Sequence, residues 1–272
     1  MTRTRRPPLG RSLLRLFTVQ GSWNYERLQG IGVGVAEEPL LRDLRAAGNG
    51  AVYRAAVARG AHFFNAHPYL CGLAVGAAAR AEHEGATPDQ IERLRSALCG
   101  PLGSLGDRLV WAGWLPVTSG LALIGVALGL GMDAVLGFLV VYNVGHVALR
   151  WWALRAGWTH GVRVAVALHQ PFLQRAAAWS GPAMALVIGA ALPLSAAYLA
   201  GPFPAWARGV LLGAAAVGGA LPLRGVTLLG VAAVAGAIAT ATAGTLRVVG
   251  RGANLRWFAA GLAGGAVLVW LR

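Results

Sequence analysis

The stretch Ala61-His-Phe-Phe-Asn-Ala-His-Pro-Tyr69 sets two histidines and an asparagine against a proline, then runs into the apolar Leu70–Ala79. Pro68 cannot continue a helix arriving from its N-terminal side, and it pushes His67 toward extended backbone. Proline is also favoured in the first turn of a new helix. Asn65-Ala-His67 therefore reads as an unwound point between two helical pieces. Inside a membrane, freed backbone groups are tolerated only where protein buries them or where they line a cavity. Broken helices of this kind build midplane sites in many transporters. His62 and Asn65, three residues apart, share a helical face. Asparagine offers donors and an acceptor, and neutral histidine one of each. The plainer alternative is a polar helix cap at the interface that binds nothing.

Composition points the same way. The chain has 272 residues, of which 56% are hydrophobic and 12% charged. Soluble domains carry about 25% charged residues. The mean hydropathy is +0.57, and a polytopic membrane protein is expected. The net charge is +14, and every basic residue is arginine. These arginines are scattered between apolar runs, which fits basic loops and anionic lipid head groups rather than nucleic acid. Cys71 and Cys99 lie in apolar surroundings with no CxxC spacing and read as buried free thiols. All ten carboxylates lie between Glu26 and Asp133. Acid–base or cation chemistry is confined to the first half, and the second half reads as a lipid-facing scaffold.

Three regions are expected: a basic tail at 1–8, a motif-bearing core with re-entrant segments at 9–160, and a helical scaffold at 161–272. The tail does not begin a signal peptide, because Arg11 and Arg15 interrupt the apolar Leu9–Val19. Leu13, Leu14, Leu16 and Phe17 among those arginines suit an interfacial amphipathic helix with arginines reaching lipid phosphates. Ser22–Gln29 is expected to continue as helix. Gly30, Gly32 and Gly34 lack the strand, the lysine and the spacing of a phosphate loop, and suit close helix packing. Leu40–Arg59 reads as an amphipathic surface helix. Tyr69–Ala79 is too short for a hydrocarbon core, which takes about 20 residues of helix, and suits a re-entrant arm. Glu82–Arg95 reads as a water-exposed loop and helix, with Thr87 or Asp89 as its cap. Membrane helices are expected over 118–130, 134–149, 181–199, 207–221, 226–242 and 258–271, with His169-Gln170-Pro171 in a loop. The fold class is all-α: a polytopic membrane protein with discontinuous helices and an interfacial N-terminal helix.

Two further constellations stand out. Gly100, Gly103 and Gly106 line one ridge and lead to Asp107. An ionisable residue in a membrane segment marks a candidate site, although Arg108 beside it also fits an interfacial ion pair. Asn143 and His146 share a face, and Trp151, Trp152 and Trp158 suit an aromatic belt. His62, His67 and His83 have no carboxylate or thiol in a convincing register for zinc. No metal, cofactor or catalytic residue is expected.

Four ordered blocks carry a family resemblance. They are Gln20-Gly-Ser-Trp-Asn-Tyr-Glu-Arg-Leu-Gln29, His62-Phe-Phe-Asn-Ala-His-Pro-Tyr-Leu70, Gly100-Pro-Leu-Gly-Ser-Leu-Gly-Asp-Arg-Leu-Val-Trp111 and Asn143-Val-Gly-His-Val-Ala-Leu-Arg-Trp-Trp152. They resemble the IID membrane component of the mannose/fructose/sorbose family of the sugar phosphotransferase system, over roughly residues 11–160. The family typically has phenylalanine at Trp23, threonine at Ala66 and a small residue at Arg108. The resemblance implies a multi-pass protein of the bacterial inner membrane. It implies a IIC partner with which the chain forms a channel for a hexose-type sugar, an oligomer of such pairs, and IIA and IIB phosphocarriers that phosphorylate the emerging sugar. It implies that Asn65, His67, Asp107, His62 and Asn24 shape the sugar path and that no histidine of this chain carries phosphate. From the residues alone, two alternatives stay open: a stand-alone transporter or channel, and a membrane-embedded hydrolase using His62, His67 and Asp107.

Overall fold

The computed structural model describes residues 7–199; the helices expected over 207–221, 226–242 and 258–271, and most of the N-terminal tail, lie outside them. The chain divides into two compact units, Met1–Ile188 and Gly189–Arg272. Helices in order are α1 (Leu9–Leu16), α2 (Gly30–Ala46), α3 (Gly50–Gly60), α4 (Cys71–His83), α5 (Pro88–Gly106), a π-helix (Asp107–Trp114), α6 (Leu115–Ala127), α7 (Met132–His160), α8 (Ala165–Leu168) and α9 (Pro171–Leu199).

Among the described residues, three stretches are long and apolar enough to cross a membrane: Pro88–Ala127, Met132–Arg163 and Pro171–Leu192. The first has 40 residues, or about 60 Å of helix against a hydrocarbon core of about 30 Å. Its polar first turns therefore stay outside the membrane. Thr87 caps them, with Gln90 completing a reciprocal capping box. Gly129 and Gly131, at φ +94° and +52°, turn the chain between α6 and α7. Helix α9 starts earlier than expected, at Pro171, because proline at the first helical position surrenders only a donor that has no partner there.

The short helices form a body at the other end of the α6–α7 hairpin. At its centre is α4, buried along almost its whole length. The reason is in its composition. Gly72 and Gly76 on α4 lie against the backbone of Leu154, Gly157 and Trp158 on α7, with a glycine of each helix at the contact. A side chain at Gly76 would strike the backbone of Leu154 and Trp158, and one at Gly157 would strike Leu73 and Ala77. Gly30, Gly32 and Gly34 do the same job on α2, against the backbones of His62, Val19 and Gly60–Ala61. Close packing is their role, as expected.

Several local expectations change. Ser22–Gln29 is a turn rather than a helix. Asn24 Oδ1 accepts the Glu26 and Arg27 amides at 3.1 and 2.9 Å, and Leu28 then takes φ +49°. Short asparagine side chains compete with helix in this way. Helix α2 runs straight through Pro39, and the break comes at Gly48 (φ +84°). Pro39 frees the Val35 carbonyl four residues back, and Arg15 of α1 donates to that oxygen at 2.8 Å. Arg15 also pairs with Glu38 at 2.7 Å, so it turns onto α2 rather than outward to lipid. Glu82 and Arg95 are buried, not water-exposed. Arg95 pairs with Glu37 at 3.1 Å and donates to the Gly60 carbonyl at 2.8 Å. Arg59 meets Glu82 at 2.7 Å. These four charges tie α2, α3, α4 and α5 together. Burial pushes the Glu37 carboxyl up, against the pull of Arg95. Cys71 and Cys99 are free thiols, Cys71 buried and Cys99 partly so.

The glycine positions make a direct test. Gly157→Val forces α4 and α7 apart and is expected to cost about 3 kcal/mol. Gly100→Ala puts a methyl into open space and is expected to stay within about 0.5 kcal/mol of the parent. Thermal unfolding of both variants in detergent micelles checks the pair.

Candidate functional site

The proline break is built as a short non-helical link between α3 and α4, and one arginine holds it. Arg150, on α7, is only 4% exposed. Its Nε donates to His146 Nε2 at 2.8 Å and its Nη1 to the Pro68 carbonyl at 3.0 Å. The same Nη1 donates to the carbonyl of Leu16, the last residue of α1. That carbonyl lacks an intrahelical partner, as the last carbonyls of any helix do. The guanidinium also lies over the rings of Phe17 and Tyr69, at 5.2 and 4.7 Å. It has no carboxylate partner among the described residues. Carbonyl dipoles and π faces carry the charge instead.

With Pro68 fixed, the flanking rings are aimed. Tyr69 stacks on His146 at 4.1 Å, and its hydroxyl meets that of Tyr142 at 2.7 Å. Trp114 Nε1 donates to the Tyr142 carbonyl at 3.3 Å. Tyr142, His146 and Arg150 are thus one polar stripe at i, i+4, i+8 along α7. Asn143 lies off this stripe; it is exposed and donates to Leu139. The pairing of Asn143 with His146 on one face is corrected to Tyr142 with His146. A polar residue every four positions was the available signal.

His67 turns the other way. Its side chain packs on Gly106, where any side chain would collide with its ring. Gly100 and Gly103 meet no neighbour among the described residues. His67 is 2% exposed. Burial pushes its pKa down to about 4, with Asp107 raising it and Arg150 lowering it. The ring is therefore neutral at pH 7. Its Nδ1 accepts the Tyr69 amide at 3.2 Å, which leaves the proton on Nε2. That Nε2 is buried and has no partner among the described residues. Trp111 lies edge-on to the ring at 5.5 Å and is 52% exposed.

Asp107 and Trp111 both lie on the π-helix. Pro116, just beyond it, supplies no donor for the carbonyl of Ala112, and a ladder already broken there can widen upstream. Asp107 is exposed and makes no ion pair among the described residues.

The structure gathers His67 and Asp107 beside Trp111. His62 is engaged elsewhere, pairing with Glu92 on α5 at 2.6 Å. Asn24 spends its oxygen on the turn described above. Asn65 is exposed, with no side-chain hydrogen bond among the described residues. His83 Nε2 donates to the Leu40 carbonyl at 2.8 Å. Trp151 faces outward with Arg155 over its ring, whereas Trp152 packs edge-on to Phe172 and Trp158 against His83.

Fold and site together define an all-α membrane protein with a polar break beneath a helical hairpin. The model of the mannose/fructose/sorbose family IID component of the phosphotransferase system (PTS) matches residues 6–195, and the chain belongs to that family. It is 29% identical over 167 residues to the mannose-specific EIID component of Escherichia coli K12, covering 60% of this chain and 58% of that one. It is 33% identical over 170 residues to the sorbose-specific EIID component of Klebsiella pneumoniae, 60% of each chain. The fructose permease IID component of Bacillus subtilis is 30% identical over 151 residues, 53% of each. The matched stretch thus spans between about half and three fifths of these relatives' length. Among solved structures, a chain of the mannose transporter ManYZ in complex with microcin E492 superposes with TM-score 0.51 and 24% identity, over 71% of this chain and 72% of that one. A second membrane protein gives TM-score 0.59 at 24% identity, over 70% and 71%. These superpositions bear on fold.

A neutral buried histidine leaves a pH signature. Between the ordinary histidine value of 6.5 and about 4, the unfolded chain binds a proton that folded His67 refuses. Stability from this group is full above pH 6.5 and declines as pH falls through that window. His67→Gln removes the titration, so the unfolding temperature of the variant in micelles is expected to fall less than the parent's between pH 7 and pH 5. Parallel curves count against a buried neutral His67.

Proposed function

We propose that this chain is the membrane subunit of a mannose-type sugar permease and forms, with a IIC partner, the path by which a sugar enters the cell as it is phosphorylated. The observation that carries the reading is the break at His67-Pro68: a neutral, buried ring with one nitrogen unpartnered among the described residues, in a chain whose family match runs over residues 6–195. A path for an uncharged, hydroxyl-rich solute needs donors and acceptors without fixed charge, and His67 with the exposed Asn65 amide provides them.

Orientation follows from charge. The α6–α7 turn, Leu128–Gly131, carries no arginine and is followed by Asp133. The body at the other end carries Arg42, Arg45, Arg54, Arg59, Arg80 and Arg93. Arginine excess marks the cytoplasmic side, so the body faces the cytoplasm of a bacterial inner membrane and the hairpin points outward. A IIB phosphocarrier, itself charged by IIA, then meets the sugar at the body. Several IIC–IID pairs assemble into one complex, and histidines of this chain hold no phosphate.

Phosphoenolpyruvate-dependent uptake of mannose, fructose and sorbose, measured with IIA, IIB and IIC supplied and this chain present or deleted, tests the reading. Uptake of at least one sugar is expected to require the chain. Asn65→Ala is expected to lower uptake about tenfold or more, the cost of one or more hydrogen bonds to a polar solute, while insertion and IIC pairing persist. Uptake that deletion leaves unchanged sinks the proposal.

A further inference from the structure

On α9, Arg175, Trp179, Pro182 and Leu186 follow one another at spacings of four, three and four residues, and all are exposed, Trp179 at 70% and Leu186 at 73%. That spacing keeps them on one helical face. Along it a guanidinium gives way to an indole and then to aliphatic surface. A neighbouring element brings a second arginine to the same level. Gly113 abuts Ser180 and Gly120 abuts Val187, so the π-helix and α6 run in step with α9. Arg108 lies five residues before Gly113, and Arg175 five residues before Ser180. Arg108 is exposed as well, and neither arginine makes an ion pair among the described residues.

Depth decides what these cations meet. From Arg108 to the α6–α7 turn is about 20 residues, or about 30 Å of helix, the thickness of a hydrocarbon core. Both arginines therefore lie at the head-group level on the body side, with Trp179 one turn deeper, where indoles settle. Two cations at one level call for an anion. No side-chain carboxylate follows Asp133 in the sequence, and Asp107, the residue before Arg108, makes no ion pair with it. A soluble polyanion docks outside the head groups and has no use for Trp179 or Leu186. A phospholipid carries its phosphodiester, glycerol and acyl chains in the order of the α9 stripe.

We infer that the groove between the π-helix and α9 is a binding site for one anionic phospholipid, with its phosphate at Arg108 and Arg175, its glycerol beside Trp179 and an acyl chain along Leu186. A guanidinium offers paired N–H donors to phosphate oxygens. Phosphatidylcholine brings a cation of its own to that level, which two arginines repel, whereas phosphatidylglycerol brings none. Arg108 stands where the family typically has a small residue, so the arginine pair is a property of this chain. The site stands apart from the sugar path.

The full chain, released from nanodiscs of equal phosphatidylglycerol and phosphatidylcholine, is weighed by native mass spectrometry. The parent is expected to retain one phosphatidylglycerol in preference to phosphatidylcholine. Arg108→Gln and Arg175→Gln are each expected to lower that preference about fivefold, the effect of one arginine at an anionic membrane surface. Arg54→Gln removes an equal charge from the exposed surface of α3 and is expected to leave the preference unchanged. A preference that survives both Arg108→Gln and Arg175→Gln, or that falls as far in Arg54→Gln, overturns the site. Inorganic phosphate added to the parent is expected not to displace the lipid; displacement overturns the lipid assignment in favour of a soluble anion. Should a glutamine variant fail to insert, Arg108→Lys and Arg175→Lys serve instead, because they keep the charge and lose the planar fork: a reduced preference supports the site, and an unreduced one overturns it.

Discussion

The rest of the molecule hangs on the Arg150 guanidinium. It is buried in the middle of a long helix, with no carboxylate to neutralise it among the described residues. The effective cost of burying such an ion is several kcal/mol. What offsets it is a set of groups that each needed a partner anyway: the Leu16 carbonyl at the end of α1, the Pro68 carbonyl at the proline break, and the basic nitrogen of His146. Two ring faces close the shell. One side chain thereby joins the N-terminal helix, the link before α4 and α7. Lysine cannot do this, because a single ammonium lacks the planar fork and the flat surface that stacks on Phe17 and Tyr69.

That clamp works only because α4 and α7 approach closely enough for Arg150 to reach Pro68. Lipid tails are as apolar as leucine, so helix association inside a bilayer depends on contact area and not on expulsion of water. Gly72 and Gly76 meet the Leu154–Trp158 segment of α7 with backbone on backbone. The same economy holds in the body, where α2 is seated by three glycines and locked by the Glu37–Arg95 pair. Small residues set the spacing, and buried charges set the register. Part of the hydrophobic surface left over lies on α7, where Leu136, Leu139, Val140 and Val144 are exposed.

Much of this was legible in the chain. The His62–Tyr69 break, the turn between α6 and α7, the Thr87 cap and the membrane class all follow from proline, glycine and hydropathy, which act locally. What stayed hidden depends on partners distant in sequence. Arg95 and Glu82 look like surface charges in a polar stretch, and only α2 and α3 folding over them makes them a buried network. Pro39 looks like a stop, and it is tolerated because Arg15, far upstream, takes the carbonyl it frees. Asn24 looks like a ligand-facing amide in a motif, while its own turn uses the oxygen. Glycine spacing suggested a ridge at Gly100, Gly103 and Gly106, but spacing cannot say which member meets a neighbour. Among the described residues, Gly106 is the member that does.

The π-helix accounts for one of the three departures from the family pattern, arginine at position 108. In an α-ladder, residues three and four apart share a face, so Arg108 would sit beside Trp111. In a ladder bonded to the fifth residue, the shared face shifts to residues four and five apart. Asp107 keeps Trp111 as its neighbour, and Arg108 moves toward Ala112 and Gly113. Gly113 lies close to the Arg108 carbonyl, as that bonding requires. The wider helix thus separates the arginine from the indole face and keeps the carboxylate beside it. An arginine is accommodated at 108 without neutralising Asp107, because the backbone, and not a side-chain rearrangement, moves the cation off the site.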